Sequence, residues 1–156
     1  MDKKEFFNIV QYIVNQGKII AINYSGETNL QIGYLDIFAK DETEKDTLLS
    51  IIEKLGKIVE RPKTGLTFQL NNPLITDLGP LKLIKIRFPD PSRPQRGAPD
   101  FKVPDYEIFK KKMLGKKNVN LIERLKYEMI EIWDENEDVL VYFPNKLLSD
   151  DLSLNQ

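Results

Sequence analysis

The residues best suited to chemistry in this chain lie on one face of the predicted strands and in the arginine-rich segment beside them. Successive side chains of a strand point to opposite faces, so Tyr34 and Asp36 should share one face. We predict that seven residues surround a ligand: Tyr34, Asp36, Lys85, Arg87, Arg93, Arg96 and Asp100. They would form a cup with a charged floor that orients a small anionic or zwitterionic compound. The alternative is a polar sheet face whose charges only form salt bridges.

Three of the five arginines, Arg87, Arg93 and Arg96, lie in or beside a proline-rich joint over residues 85–97. The planar guanidinium group matches the geometry of carboxylate and phosphate groups, so this cluster could clamp an anion beside the cup. Alternatively, the arginines brace the joint by donating to carbonyl oxygens and acidic side chains, because a proline-rich segment lacks regular backbone hydrogen bonds.

The composition excludes several kinds of active site. The chain has no cysteine and no histidine, which removes thiolate nucleophiles, disulfides, imidazole bases and metal sites built on these residues. The formal net charge of −1 argues against a nucleic-acid partner. The sequence has no apolar run long enough to span a membrane and no signal-peptide pattern at its start. We therefore expect a cytoplasmic protein without a cofactor, a nucleic-acid partner or a membrane partner.

Apolar periodicity and turn residues predict an α+β fold in which one order of elements, strand–helix–three strands, occurs twice. The first module, residues 30–90, begins with a strand over residues 30–39. A helix then runs from a cap at Asp41 to Gly56, and a hairpin and a further strand end the module near residue 88.

The second module, residues 91–145, is shorter. It has a brief strand over residues 100–103, a helix that begins after Asp105 and a last strand over residues 139–143. Two strands are expected within residues 118–133, although neither glycine nor proline marks the turn between them.

The two modules are preceded by an N-terminal segment, residues 1–29, and followed by a polar tail, residues 146–156. An apolar stripe predicts a helix over residues 3–16, formed by Phe6, Ile9, Val10, Ile13 and Val14. Gly17 predicts the end of this helix, and the strand-forming residues 18–24 predict an extra strand that packs on the domain.

The paired modules resemble the vicinal oxygen chelate superfamily, which includes glyoxalase I, bleomycin-resistance proteins and extradiol dioxygenases. Residues 34–41 are similar to that superfamily's opening strand, and residues 134–144 are similar in spacing to its acidic turn and final strand. The resemblance covers about residues 33–145 and implies a curved mixed sheet.

The resemblance also implies four metal ligands, which would fall on Tyr34, Lys85, Ala98 and Val141. None of these is a histidine or a carboxylate, and a lysine would repel a divalent cation. The superfamily also contains metal-free ligand binders, so the sequence predicts a metal-free small-ligand-binding protein.

Two other functions stay open. One is an isomerase or lyase that uses Tyr34, Asp36 or Asp100 with Lys85 for proton transfer. The other is a protein–protein interaction module that pairs exposed strands with a partner. The sequence also leaves open whether the chain forms a homodimer.

Overall fold

A computed structural model describes residues 1–148 of the chain, which form three helices and an eight-stranded mixed sheet. In chain order the elements are α1 (Lys3–Ser25), β1 (Gln31–Phe38), α2 (Glu42–Leu55), β2 (Gly56–Glu60), β3 (Gly65–Thr76), β4 (Gly79–Arg87), β5 (Gly97–Lys102), α3 (Tyr106–Met113), β6 (Val119–Glu123), β7 (Glu128–Ile132) and β8 (Val141–Pro144). Across these 148 residues, no helix is long and apolar enough to span a membrane.

The sheet confirms the predicted duplication. Elements β1–α2–β2–β3–β4 and β5–α3–β6–β7–β8 have the same order, and the strands follow one another as β2-β3-β4-β1-β5-β8-β7-β6. In each module the first strand pairs in parallel with the fourth. The modules meet where β1 and β5 pair antiparallel. The result is a curved, open sheet of the predicted α+β class, and the predicted module ranges, 30–90 and 91–145, contain its elements.

The N-terminal segment differs from the prediction, because residues 18–24 continue α1 and do not form an extra strand. A capping box between Asp2 and Glu5 begins the helix, and Gly26 ends it with φ of 72°. The apolar stripe continues through buried Ile20 and Ala21, so packing outweighs the local strand preference of these residues.

Gly17 does not end the helix. A Cβ atom at this position would overlap Cγ of Pro99, so glycine allows α1 to approach β5 closely. Of the predicted polar tail, residues 149–156 lie outside the described residues.

The inner turn of the second module falls at residues 124–127, where the Arg124 amide donates to the carbonyl oxygen of Tyr127 over 2.8 Å. In the first module, β3 extends to Thr76, beyond the predicted hairpin.

All three helices contribute to a core on one face of the sheet. That core contains Phe6 from α1, Leu48 from α2 and Phe109 from α3, together with Leu35 and Ile37 from β1. Because side chains alternate along β1, Tyr34, Asp36 and Phe38 face the other side of the sheet. That face carries the candidate site.

Candidate functional site

A cavity of about 420 Å³ opens on the sheet face opposite the helical core, within the usual size range of small-molecule sites. Both modules contribute to its walls. Six of the seven residues predicted from the sequence line it: Tyr34, Asp36, Lys85, Arg87, Arg93 and Asp100. The prediction that Tyr34 and Asp36 share one face of β1 is confirmed, since both line the cavity while Leu35 and Ile37 pack in the core.

Strand pairing decides which of these residues are neighbours. Asp36 of β1 lies beside Lys85 of β4, and Tyr34 lies beside Asp100 of β5. Asp100 in turn lies beside Tyr142 of β8. Asp36 and Asp100 are therefore diagonal neighbours on antiparallel strands, a relation that separates Cβ atoms by roughly 7–8 Å or somewhat less.

The two carboxyl groups differ in their electrostatic surroundings. Burial raises the pKa of Asp36 to about 6, although the nearby cations Lys85 and Arg87 act in the opposite direction. Burial and the charge of Asp36 raise the pKa of Asp100 well above its usual value, and the charge of Lys85 opposes this change. Asp36 is therefore the carboxyl group that ionises more readily.

Lys85 is buried, with 8% of its surface exposed, and its Nζ donates to Oγ1 of Thr64 over 2.6 Å. Burial lowers the pKa of Lys85, while the charge of Asp36 opposes that change. The hydroxyl groups of Tyr34 and Thr67 share a hydrogen bond of 3.2 Å, and burial raises the pKa of Tyr34 well above its usual value.

Two buried polar atoms at the cavity have no hydrogen-bond partner within residues 1–148. They are Oδ1 of Asp36, an acceptor, and Nε of Arg87, a donor. A buried polar atom without a partner costs about 1–3 kcal/mol, and native structures contain few of them. Both atoms belong to side chains that line the cavity, which marks this part of its surface as suited to a polar ligand.

Aromatic rings support two of the three arginines that line the cavity, Arg87 and Arg93. The guanidinium group of Arg87 lies 5.6 Å from the ring centroid of Phe38, and that of Arg93 lies 5.1 Å from that of Trp133. Arg93 also donates to the hydroxyl group of Tyr142 over 3.2 Å. Phe38, Trp133 and Tyr142 belong to one small apolar cluster, so both guanidinium groups pack on the same support.

Arg96 does not line this cavity, although the sequence grouped it with the site. It donates to the two carboxylate oxygens of Glu44 over 2.7 and 3.3 Å and to the carbonyl oxygen of Phe38 over 3.1 Å. These contacts tie the joint to α2 and β1. The three arginines of the joint therefore have different roles: Arg87 and Arg93 border the cavity, whereas Arg96 braces the backbone.

Several residues that line or support the cavity were not predicted from the sequence. Tyr142 faces it from β8, whereas the neighbouring Val141, an implied ligand position, packs in the core. In the first module, polar Thr67 lies between apolar Leu66 and Phe68, and this alternation predicts that Thr67 faces the same side of the sheet as Tyr34. No comparable signal marked Tyr127, which borders the cavity from the inner turn of the second module.

The cavity does not fit the metal site that the resemblance implied. Of the four implied positions, Lys85 contributes an ammonium group, Ala98 has no donor atom and Val141 points to the core. In the part of the chain that the structure describes, no three acidic residues are grouped to hold a metal ion.

No protein-family model and no curated protein matches the sequence. Among solved structures, a structural-genomics protein, EC4020, is similar with a TM-score of 0.71 and 10% sequence identity. The similarity covers 96% of this chain and 92% of that chain. At this identity the likeness shows a shared fold alone.

Proposed function

We propose that this protein is a cytoplasmic, metal-free binder of a small zwitterionic or anionic compound, and a divergent relative of the vicinal oxygen chelate superfamily. The paired modules and the cavity on their shared sheet support the relationship. The ligand class rests on the side chains that line the cavity.

The observation that carries the proposal is the pair of unpartnered atoms, Asp36 Oδ1 and Arg87 Nε. A ligand that offers a hydrogen-bond donor to Asp36 and an acceptor to Arg87 would satisfy both atoms at once. A zwitterionic compound has both kinds of group, and each bond would be charge-assisted and shielded from water.

The basic residues determine how such a ligand would be oriented. Arg87 and Arg93 present guanidinium groups on rigid aromatic supports, an arrangement suited to a carboxylate or a phosphate. Asp36 and Asp100 would receive the ammonium or hydroxyl groups of the same compound. A zwitterionic ligand would therefore place its anionic end at the arginines and its donor end at the carboxyl groups.

The test is calorimetric titration of a panel of small carboxylates, phosphates and amino-carboxylate zwitterions against the wild type, Arg87→Ala and Arg87→Lys. We expect both variants to bind about 100-fold more weakly, roughly 3 kcal/mol, because an ammonium group cannot replace two parallel hydrogen bonds. Arg61→Ala is the matched control, since Arg61 is exposed and lies outside the cavity.

Thermal unfolding of the same variants separates a ligand clamp from a structural brace. Arg87 has a single carboxylate partner within residues 1–148, Asp90 at 3.6 Å, so Arg87→Ala should change stability little. The proposal fails if Arg87→Ala destabilises the protein but binds with unchanged affinity, or if no compound in the panel binds the wild type.

A further inference from the structure

We infer that the cavity also catalyses proton transfer: Asp36 removes a proton from the carbon beside a ketone of a small bound oxo-carboxylate, while Asp100 donates a hydrogen bond to the ketone oxygen. The inference rests on the proposed function, because the same cavity must first bind the compound. It adds an activity, metal-free keto–enol isomerisation, and a substrate class.

Two carboxyl groups, one from each module, line the same cavity. Asp36 and Asp100 lie diagonally across the β1–β5 pair and both line the cavity. The Cβ separation typical of diagonal neighbours, roughly 7–8 Å or somewhat less, leaves room for a carbon and its carbonyl group between the two side chains.

The strand neighbours of the two groups assign their roles. Asp36 is the register partner of Lys85 on β4, whereas Asp100 is the register partner of Tyr34 on β1 and of Tyr142 on β8. Three cations, Lys85, Arg87 and Arg93, favour the ionised form of Asp36. Burial and the charge of Asp36 favour the protonated form of Asp100 against the opposing charge of Lys85. Two carboxyl groups whose surroundings separate their proton affinities are the usual basis of an acid–base pair.

Asp36 has one oxygen with no protein partner in the part of the chain that the structure describes. Its Oδ1 is buried and has no hydrogen-bond donor within the described residues, so substrate need not displace a protein partner. Burial raises the pKa of Asp36 to about 6, which makes its carboxylate a stronger base while it stays mostly ionised at neutral pH.

The proposed step balances without an oxidant or a metal. The carboxylate of the substrate binds Arg87 and Arg93, and Asp36 takes a proton from the carbon beside the ketone. The electron pair of the broken C–H bond forms the enolate, whose oxygen is stabilised by the Asp100 hydrogen bond and the charge of Lys85. Asp36 then transfers its proton to the enolate oxygen, which yields the enol and regenerates the carboxylate.

The experiment follows deuterium exchange of pyruvate, 2-oxobutyrate and acetoacetate in D₂O by proton NMR, with calorimetric binding of each probe measured in parallel. We expect the wild type to accelerate exchange at the carbon beside the ketone of at least one probe. Asp36→Asn should reduce that acceleration at least about 100-fold, while the affinity for the probe changes only a few-fold. Asp77→Asn, in the exposed β3–β4 turn, is the matched control and should behave as wild type.

The outcomes distinguish this inference from the proposed function. If a probe binds but its exchange is not accelerated, or if Asp36→Asn exchanges at the wild-type rate, the catalytic inference is overturned and the binding function stands. If no probe binds the wild type, oxo-carboxylates are not the substrates. The binding function is then tested separately by the panel of carboxylates, phosphates and zwitterions described above. Asp36→Ala, checked by thermal melting, provides a second variant in case the asparagine variant does not fold.

Discussion

The two modules share one backbone plan but present different chemistry at equivalent positions. In the first module the acidic residue of the first strand, Asp36, pairs with Lys85 of the fourth strand. In the second module the corresponding pair joins Asp100 to Tyr142. One carboxyl group therefore has an ammonium neighbour and the other a phenol neighbour, although the strands around them are arranged in the same way.

This difference shows how a duplicated fold can build an asymmetric site. Strand order repeats because it depends on backbone pairing and on apolar residues at alternate positions. The cavity-facing positions are free of that constraint, so the chemistry of the two modules differs there. The first module supplies Lys85 and Arg87, whereas the second supplies Asp100, Tyr127, Tyr142 and Arg124. The two sets meet because β1 and β5 form the seam between the modules.

The largest effect is expected from a substitution that breaks this seam. A Cβ atom at Gly97 of β5 would overlap the carbonyl oxygen of Asp36 and lie 2.7 Å from Cδ1 of Ile13. Gly97→Ala should therefore lower the free energy of unfolding by about 3 kcal/mol or more, because backbone atoms must shift. Urea denaturation measures the loss.

Gly33→Ala is the matched control in β1. An added Cβ there would meet the side chain of Leu147, which can rotate away, so the expected loss is below about 1 kcal/mol. Equal losses in the two variants would show that the modules are not closely fitted at β5.

The second prediction sharpens the contrast between the two carboxyl groups. Burial raises the pKa of Asp36 from 3.8 to about 6 in the folded protein, so the folded state holds this proton more tightly than the unfolded state. Asp36 therefore contributes stability that is present below about pH 4 and lost as the pH rises through about 6. Asp36→Asn should raise the free energy of unfolding at neutral pH by on the order of 2 kcal/mol.

Urea denaturation at several values between about pH 4 and pH 7 checks the sign of this effect. The wild type should lose stability as the pH rises, and Asp36→Asn should lose less. Asp100→Asn tests the second module, where the raised pKa of Asp100 predicts a loss in the same direction. If the wild type gains stability as the pH rises through this range and Asp36→Asn does not, the raised pKa of Asp36 is contradicted.

The smallest of these effects concerns the arginine that braces the joint. Arg96→Lys removes the paired contact with Glu44 and should lower the free energy of unfolding by about 1–2 kcal/mol. Ligand affinity per folded molecule should stay unchanged, in contrast to Arg87→Lys. Thermal melts and calorimetry on the two variants provide the comparison. If Arg96→Lys binds the ligand more weakly than the wild type, Arg96 contributes to the binding site.

Local patterns predicted the module elements and the face of β1 because they depend on neighbours in the chain. Caps at Asp41 and Asp105 and the alternation of Asp36 with Leu35 and Ile37 are examples. The extra strand over residues 18–24 was wrong because the same residues extend the apolar stripe of α1, and contact with β5 favours the helix.

The sequence by itself determined which chemistry is available, since a chain without histidine or cysteine leaves carboxylates, amines, guanidinium groups and phenols to act. It also determined the face of β1 on which Tyr34 and Asp36 lie, because strand side chains alternate with a period of two. Only the tertiary structure decided that Asp100 lies beside Tyr34 and that Arg96 binds Glu44 while Arg87 lines the cavity. These relations join distant parts of the chain, and they depend on which strands pair and in which register rather than on local periodicity.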